Sequence, residues 1–183
     1  MNVAVVYGAA TPPGRLSAAL DHAANRLGGA GAACSRIDLH ELALPFAPAE
    51  LDAAGRDAIE SVPRAGAMLL ASPVYRASFP GVLKNFFDHL PVEALAGKPV
   101  GWVVVGATAH HYLGVDRHLR DVLAWFGAVA LPTSVYLSND DFASGKPSPA
   151  AAAELDALAA TLIDTTKRLA GSTPGPAPLA ARR

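Results

Sequence analysis

Four short, unbroken apolar runs, Val3–Tyr7, Met68–Ala71, Gly101–Val105 and Ala128–Leu131, set the tightest limit on how this chain can fold. A strand with one wet face alternates apolar and polar residues. A continuous run is what a strand needs when helices cover both faces of its sheet. A weaker run, Ala33–Leu39, with Asp38 near its end, lies between the first two.

Helical patterns fill the intervals. Arg15–Leu27 places Leu16, Leu20, Ala23, Ala24 and Leu27 on one face, and Gly28-Gly29 stops it. Leu51–Val62 is a weaker helical pattern. Pro80–Leu90 opens with proline at a first-turn position and lines up Leu83, Phe86, Phe87 and Leu90. Asp116–Phe126 opens on an acidic residue and ends at Gly127, and Ala150–Leu169 follows Pro149. Strands alternating with helices predict an α/β domain with a doubly wound, five-stranded parallel sheet in the order 2-1-3-4-5 and helices on both faces. The domain is expected to span residues 1–170. The Pro- and Gly-rich stretch 171–183 reads as a disordered tail.

Composition narrows the function classes. With 51% hydrophobic and 17% charged residues among 183, the chain has ample material for a core. A net charge of -1 gives no basic face for nucleic acid. No apolar run approaches the roughly 20 residues that cross a bilayer. The N-terminus reads as a first strand rather than a signal peptide, and the single cysteine, Cys34, fits a reducing compartment, so the expected location is the cytoplasm. Cys34 itself is expected to be packed in its strand.

In an open parallel sheet ligands bind beyond the carboxyl ends of the strands, which selects three loops. The first, Gly8–Ser17, leads into a helix N-terminus, where free amides and partial positive charge receive a phosphate. Ala10, Thr11, Arg15, Leu16 and Ser17 are its candidate contacts, with Arg15 as a charged donor and Ser17 as a hydroxyl. A simple capped turn is the competing reading. In the second loop, Pro73 stiffens the turn, Val74 and Tyr75 offer backbone to the polar edge of a planar ring, Tyr75 offers an aromatic wall, and Arg76 offers a cation. In the third, the small residues Gly106, Ala107 and Thr108 admit a flat ligand, and His111 is the candidate cleft histidine.

Other chemistries lack their residues. There is no Walker A or GxGxxG loop, no HExxH or CxxC to hold a metal beside His110 and His111, and no GxSxG nucleophile elbow. No metal site and no catalytic acid, base or nucleophile is expected. Asp116, Arg117, His118, Arg120 and Asp121 read as a solvated helix face or a subunit contact, and Phe79, Phe86 and Trp125 as exposed aromatics lining an interface.

The stretch from Ser72 to Pro91, SPVYRASFPGVLKNFFDHLP, resembles the central motif of NAD(P)H-dependent FMN reductases. The run from Gly106 to Asp116 is similar to the third loop of those enzymes, closest to the branch serving alkanesulfonate and methanesulfonate monooxygenases. The resemblance covers residues 1 to about 170 and implies a flavodoxin-like fold. It implies FMN phosphate at residues 8–17, the isoalloxazine ring between the second and third loops, and NADPH or NADH as hydride donor. It also implies a homodimer or homotetramer and a partner monooxygenase that takes the reduced flavin. The chemistry then belongs to the cofactor, which accounts for the missing acid–base pair.

The first loop departs from the family pattern at Ala9 and Leu16, where close relatives carry serine. Each missing hydroxyl costs on the order of 1 kcal/mol of phosphate binding, which predicts weak, exchangeable FMN. A quinone or azo-compound reductase with bound FMN, a non-catalytic flavodoxin-type carrier and a domain without flavin are the alternatives. The near-neutral charge disfavours the carrier.

Overall fold

The structure, a computed structural model, describes residues 1–172 and 174–178. The five expected parallel strands form, as β1 (Asn2–Tyr7), β2 (Ala33–Asp38), β3 (Ala67–Pro73), β4 (Pro99–Val105) and β5 (Val129–Ala130). Their order in the sheet is β2-β1-β3-β4-β5. The helices are α1 (Arg15–Gly29), α2 (Ala53–Arg64), α3 (Gly81–His89), α4 (Tyr112–Trp125) and α5 (Pro149–Leu169).

The unbroken apolar runs do what their continuity requires. Val3, Val5, Tyr7, Leu69, Ala71 and Val103 point to the side covered by α1 and α5. Ala4, Val6, Met68, Leu70, Trp102 and Val104 point to the side covered by α2, α3 and α4. The sheet therefore separates two apolar layers, and side chains on both of its faces are removed from water.

Four expectations change. The fifth strand is broken: β5 pairs Val129 and Ala130 with Pro99 and Val100, and a further strand, β6 (Val135–Leu137), pairs with Val103–Val105 of β4. Pro132 lies in the gap and has no N–H for the ladder. A short hairpin, β7 (Phe142–Ala143) with β8 (Lys146–Pro147), follows. Helix α4 starts four residues early, because a 3-10 turn at Ala109–His111 feeds straight into Tyr112. Cys34 is exposed rather than packed, since β2 is an edge strand whose first four residues lie open. Phe86 is fully buried beneath α3 and cannot line an interface, whereas Trp125 is 53% exposed.

The charged cluster on α4 is only partly a solvated face. Asp116 is buried and accepts from Arg120 at 2.7 Å and from the Ser134 hydroxyl at 2.7 Å. Arg120 also donates to the carbonyls of Leu131 and Pro132 and lies over the Trp102 ring. This pair closes the gap between β5 and β6, supplying the hydrogen bonds that the interrupted ladder leaves out. Part of the expected disordered tail, residue 173 and residues 179–183, lies outside the described residues. Of the rest, Pro174 lies beside Gly97 and Pro178 beside Gly127.

Candidate flavin site

The three selected loops leave the sheet from β1, β3 and β4, which are consecutive neighbours, so their carboxyl ends open on one cleft. In the first loop the Tyr7 hydroxyl donates to the carbonyls of Thr11 and Pro12, each at 3.2 Å. These bonds fold Ala10–Arg15 back over the end of β1 while leaving all six residues exposed. The N-cap of α1 is Gly14, and no side chain caps the helix. The first intrahelical donor is Ala18, bonded to the Gly14 carbonyl, so the amides of Arg15, Leu16 and Ser17 have no helical acceptor. An anion with several oxygens fits that arrangement.

The side chains of this loop are disposed unequally. Arg15 points across the loop and donates to Asn139 at 3.0 Å, which brings the turn after β6 beside the α1 N-terminus. Leu16 and Ala9 are buried in the core layer under α1, so the two positions that depart from the family pattern present apolar side chains to the core. Leu16 serves the loop through its amide alone. The Ser17 hydroxyl accepts from Arg36 and donates to Asp21, so it too contributes mainly its backbone N–H.

The second loop is tied to the third where they leave the sheet, by Val74 N–H donating to the Val105 carbonyl at 3.0 Å. Beyond it, Tyr75 and Ser78 exchange two backbone hydrogen bonds around Arg76 and Ala77, which sit at φ 50° and 63°. That is the geometry of a type I′ turn, which normally selects glycine or asparagine. Two side-chain-bearing residues there cost about 1 kcal/mol or more each. The turn is braced from outside: His118 on α4 reaches the Ser78 hydroxyl at 2.8 Å, and Gly114 on α4 lies against the Ala77 backbone. Tyr75 and Arg76 project from this braced corner into solvent. Tyr75 is also close enough to Tyr7 to act on its titration. Burial is the largest cause pushing the Tyr7 phenol up, with Tyr75 and Asp38 adding and the Thr11 bond and Arg36 opposing.

In the third loop, Gly106 is buried and donates to the Leu137 carbonyl, while Ala107, Thr108 and His111 are exposed. Tyr136 of β6, absent from the sequence-based candidates, donates to the Thr108 carbonyl at 2.6 Å and meets the Tyr112 ring edge-on. Asn139, Gly114 and His118 are further participants that the loops alone did not reveal. The short apolar segment Val135-Tyr136-Leu137 ahead of a polar turn is the available signal for Tyr136 and Asn139. Among the described residues no three metal-ligating side chains converge, and no helix is long and apolar enough to cross a membrane.

Comparison with known proteins agrees with this geometry. The family model described as NADPH-dependent FMN reductase matches residues 1–142. An FMN reductase (NADPH) of Pseudomonas aeruginosa is 43% identical over 58% of this chain, and that match spans only 59% of its own length. The NADH-dependent FMN reductase SfnF of Pseudomonas putida is 32% identical over 78% of this chain and 80% of its own. Among solved structures, the apo form of the NADH:FMN oxidoreductase EmoB superposes with a TM-score of 0.81 at 22% identity, covering 100% of this chain and 96% of the other, a likeness of fold. The cleft, its uncapped helix and these matches agree: the chain belongs to the NADPH-dependent FMN reductase family.

Proposed function

We propose that this chain reduces FMN with a reduced nicotinamide nucleotide and releases the reduced flavin to a separate flavin-dependent monooxygenase. The observation that carries the reading is the meeting of an uncapped α1 N-terminus, with Arg15 beside it, and two backbone-exposing loops at adjacent strand ends. FMN, when bound, supplies the hydride-accepting chemistry. The chain's own work is to bind, orient and shield. The amides of Arg15, Leu16 and Ser17 and the Arg15 guanidinium receive the phosphate. At the ring edge the unspent N–H donors among the described residues are those of Arg76, Ala77, Ala107 and Thr108, since Val74, Tyr75 and Gly106 donate to Val105, Ser78 and Leu137 and Pro73 has no N–H. Tyr75, Tyr112 and Leu113, each about half exposed, give apolar surface beside that edge for the nicotinamide.

The phosphate loop offers amides, one guanidinium and the exposed Thr11 hydroxyl, but no free hydroxyl from positions 9, 16 or 17. That donor set supports an FMN held weakly enough to exchange. An apolar groove between α3 and α4, lined by Phe87, Leu90, Val122, Trp125 and Phe126 and rimmed by Lys84, Asp88 and Asp121, supports a homo-oligomer formed across this face. The test is NADPH and NADH oxidation under anaerobic conditions with free FMN or a quinone as acceptor. Turnover with FMN is expected; turnover with quinone alone rejects the reading.

A further inference from the structure

Tyr136 is the feature of the cleft that the flavin reading does not yet use. Its phenol lies directly over Gly106, where a β-carbon would sit 1.9 Å from the hydroxyl oxygen and 2.8 Å from the ring carbon bearing it. Glycine at 106 is therefore the space in which this phenol rests. The hydroxyl donates at 2.6 Å to the carbonyl of Thr108. That bond bridges β6 to the exposed Ala107–Thr108 segment, which makes no other side-chain hydrogen bond among the described residues: Ala107 has no polar side chain, and the Thr108 side chain makes no cap.

The consequence follows from the planarity of the peptide unit. Fixing the Thr108 carbonyl toward the phenol sets the Thr108–Ala109 peptide plane and pins Thr108 at the end of the 106–108 segment. The amides of Ala107 and Thr108 make no hydrogen bond among the described residues and remain available as donors. Strand β6 is itself registered on β4 from Val135 to Leu137, and Gly106 bonds to Leu137, so the phenol is delivered from a rigid element rather than from a loop. Tyr112 packs edge-on against the same ring and limits its rotation.

Building on the flavin-site reading, we infer that Tyr136 is a positioning residue for the isoalloxazine subsite: its hydrogen bond to Thr108 presents the 106–108 backbone to the ring and has no part in holding the phosphate. Arg15, at the α1 N-terminus, has the complementary assignment.

The test compares FMN with riboflavin, which carries the ring and lacks the phosphate, by fluorescence titration of the full chain and of two variants. Tyr136→Phe keeps the ring that fills the space over Gly106 and deletes only the donor. It is expected to weaken both flavins by the same factor, about fivefold to tenfold for one hydrogen bond, and to change the shape of the bound-flavin absorption band. Arg15→Ala is expected to weaken FMN and leave riboflavin unchanged. A general loss of stability lowers the bound fraction without changing the band shape of the flavin that is bound, so the altered band separates positioning from destabilisation. Unchanged affinity for both flavins in Tyr136→Phe, or a loss confined to FMN, overturns the assignment while leaving flavin binding in place. A wild-type chain that binds neither flavin overturns the site and this inference together.

Discussion

Gly114, in the first turn of α4, lies so close to Ala77 that a β-carbon at 114 would come within 2.7 Å of the Ala77 carbonyl oxygen. The contact presses the helix onto the turn that carries Tyr75 and Arg76. Glycine to alanine inside a helix normally stabilises by up to about 1 kcal/mol. Here the added methyl must displace backbone, so Gly114→Ala is expected to destabilise by about 1–3 kcal/mol instead. Urea titration checks the sign, and a parallel loss of FMN affinity is expected because the turn moves with the helix.

The α4 ion pair gives a second prediction. Arg120 connects Asp116 with the carbonyls of Leu131 and Pro132 where the fifth strand breaks. Arg120→Met keeps an unbranched apolar side chain there and removes every donor, together with the guanidinium that lies over Trp102. It is expected to cost about 2–3 kcal/mol, because a buried carboxylate and two carbonyls lose a partner together. Lysine at this position should recover little, since one ammonium cannot reproduce a fork that serves three acceptors. Equilibrium unfolding of the two variants decides it.

Stability should fall in alkali in a predictable window. Burial raises the Tyr7 and Tyr136 phenols above their ordinary 10.0. Above that value the unfolded chain has released these protons while the folded chain still holds them. Their contribution is therefore intact below about pH 10 and is lost as the pH climbs through the folded values. Burial lowers the Lys98 ammonium below 10.5, which works in the opposite direction over the interval beneath that value. The double variant Tyr7→Phe/Tyr136→Phe is expected to be less stable at neutral pH yet to show a flatter decline above about pH 10 in denaturant melts.

Edge-strand exposure makes a fourth prediction. Cys34 lies open on β2, away from the three loops of the cleft, although partial burial of its thiol raises its pKa. Alkylation of the native protein is expected to go to completion slowly and to leave flavin affinity unchanged, with mass spectrometry and flavin titration as the paired readouts. A parallel loss of flavin binding contradicts the placement of the site.

Much of this is legible in the sequence itself. Unbroken apolar runs implied a sheet covered on both faces, and the strand-end rule selected the three loops that the structure brings together. What stayed hidden depended on contacts between distant residues. Nothing in the spacing of Asp116 and Arg120 separates a wet helix face from a buried clamp, because the difference lies in Ser134 and the carbonyls of Leu131 and Pro132. Tyr136 escaped notice for the same reason: a three-residue strand gives no periodicity, and its partner is a backbone carbonyl 28 residues away. Cys34 misled because an edge strand and a central one share the same local pattern, and only the sheet order tells them apart.

The central claim is that this cleft takes FMN and that the chain reduces it with a nicotinamide nucleotide. Anaerobic stopped-flow mixing of the purified protein with NADPH or NADH and free FMN tests it most directly, followed at the flavin and nicotinamide absorption bands together. The account predicts that both bands bleach in equal molar amounts, with FMN consumed well beyond the protein concentration. Nicotinamide oxidation that requires a quinone, or no bleaching of FMN beyond the uncatalysed rate, contradicts it.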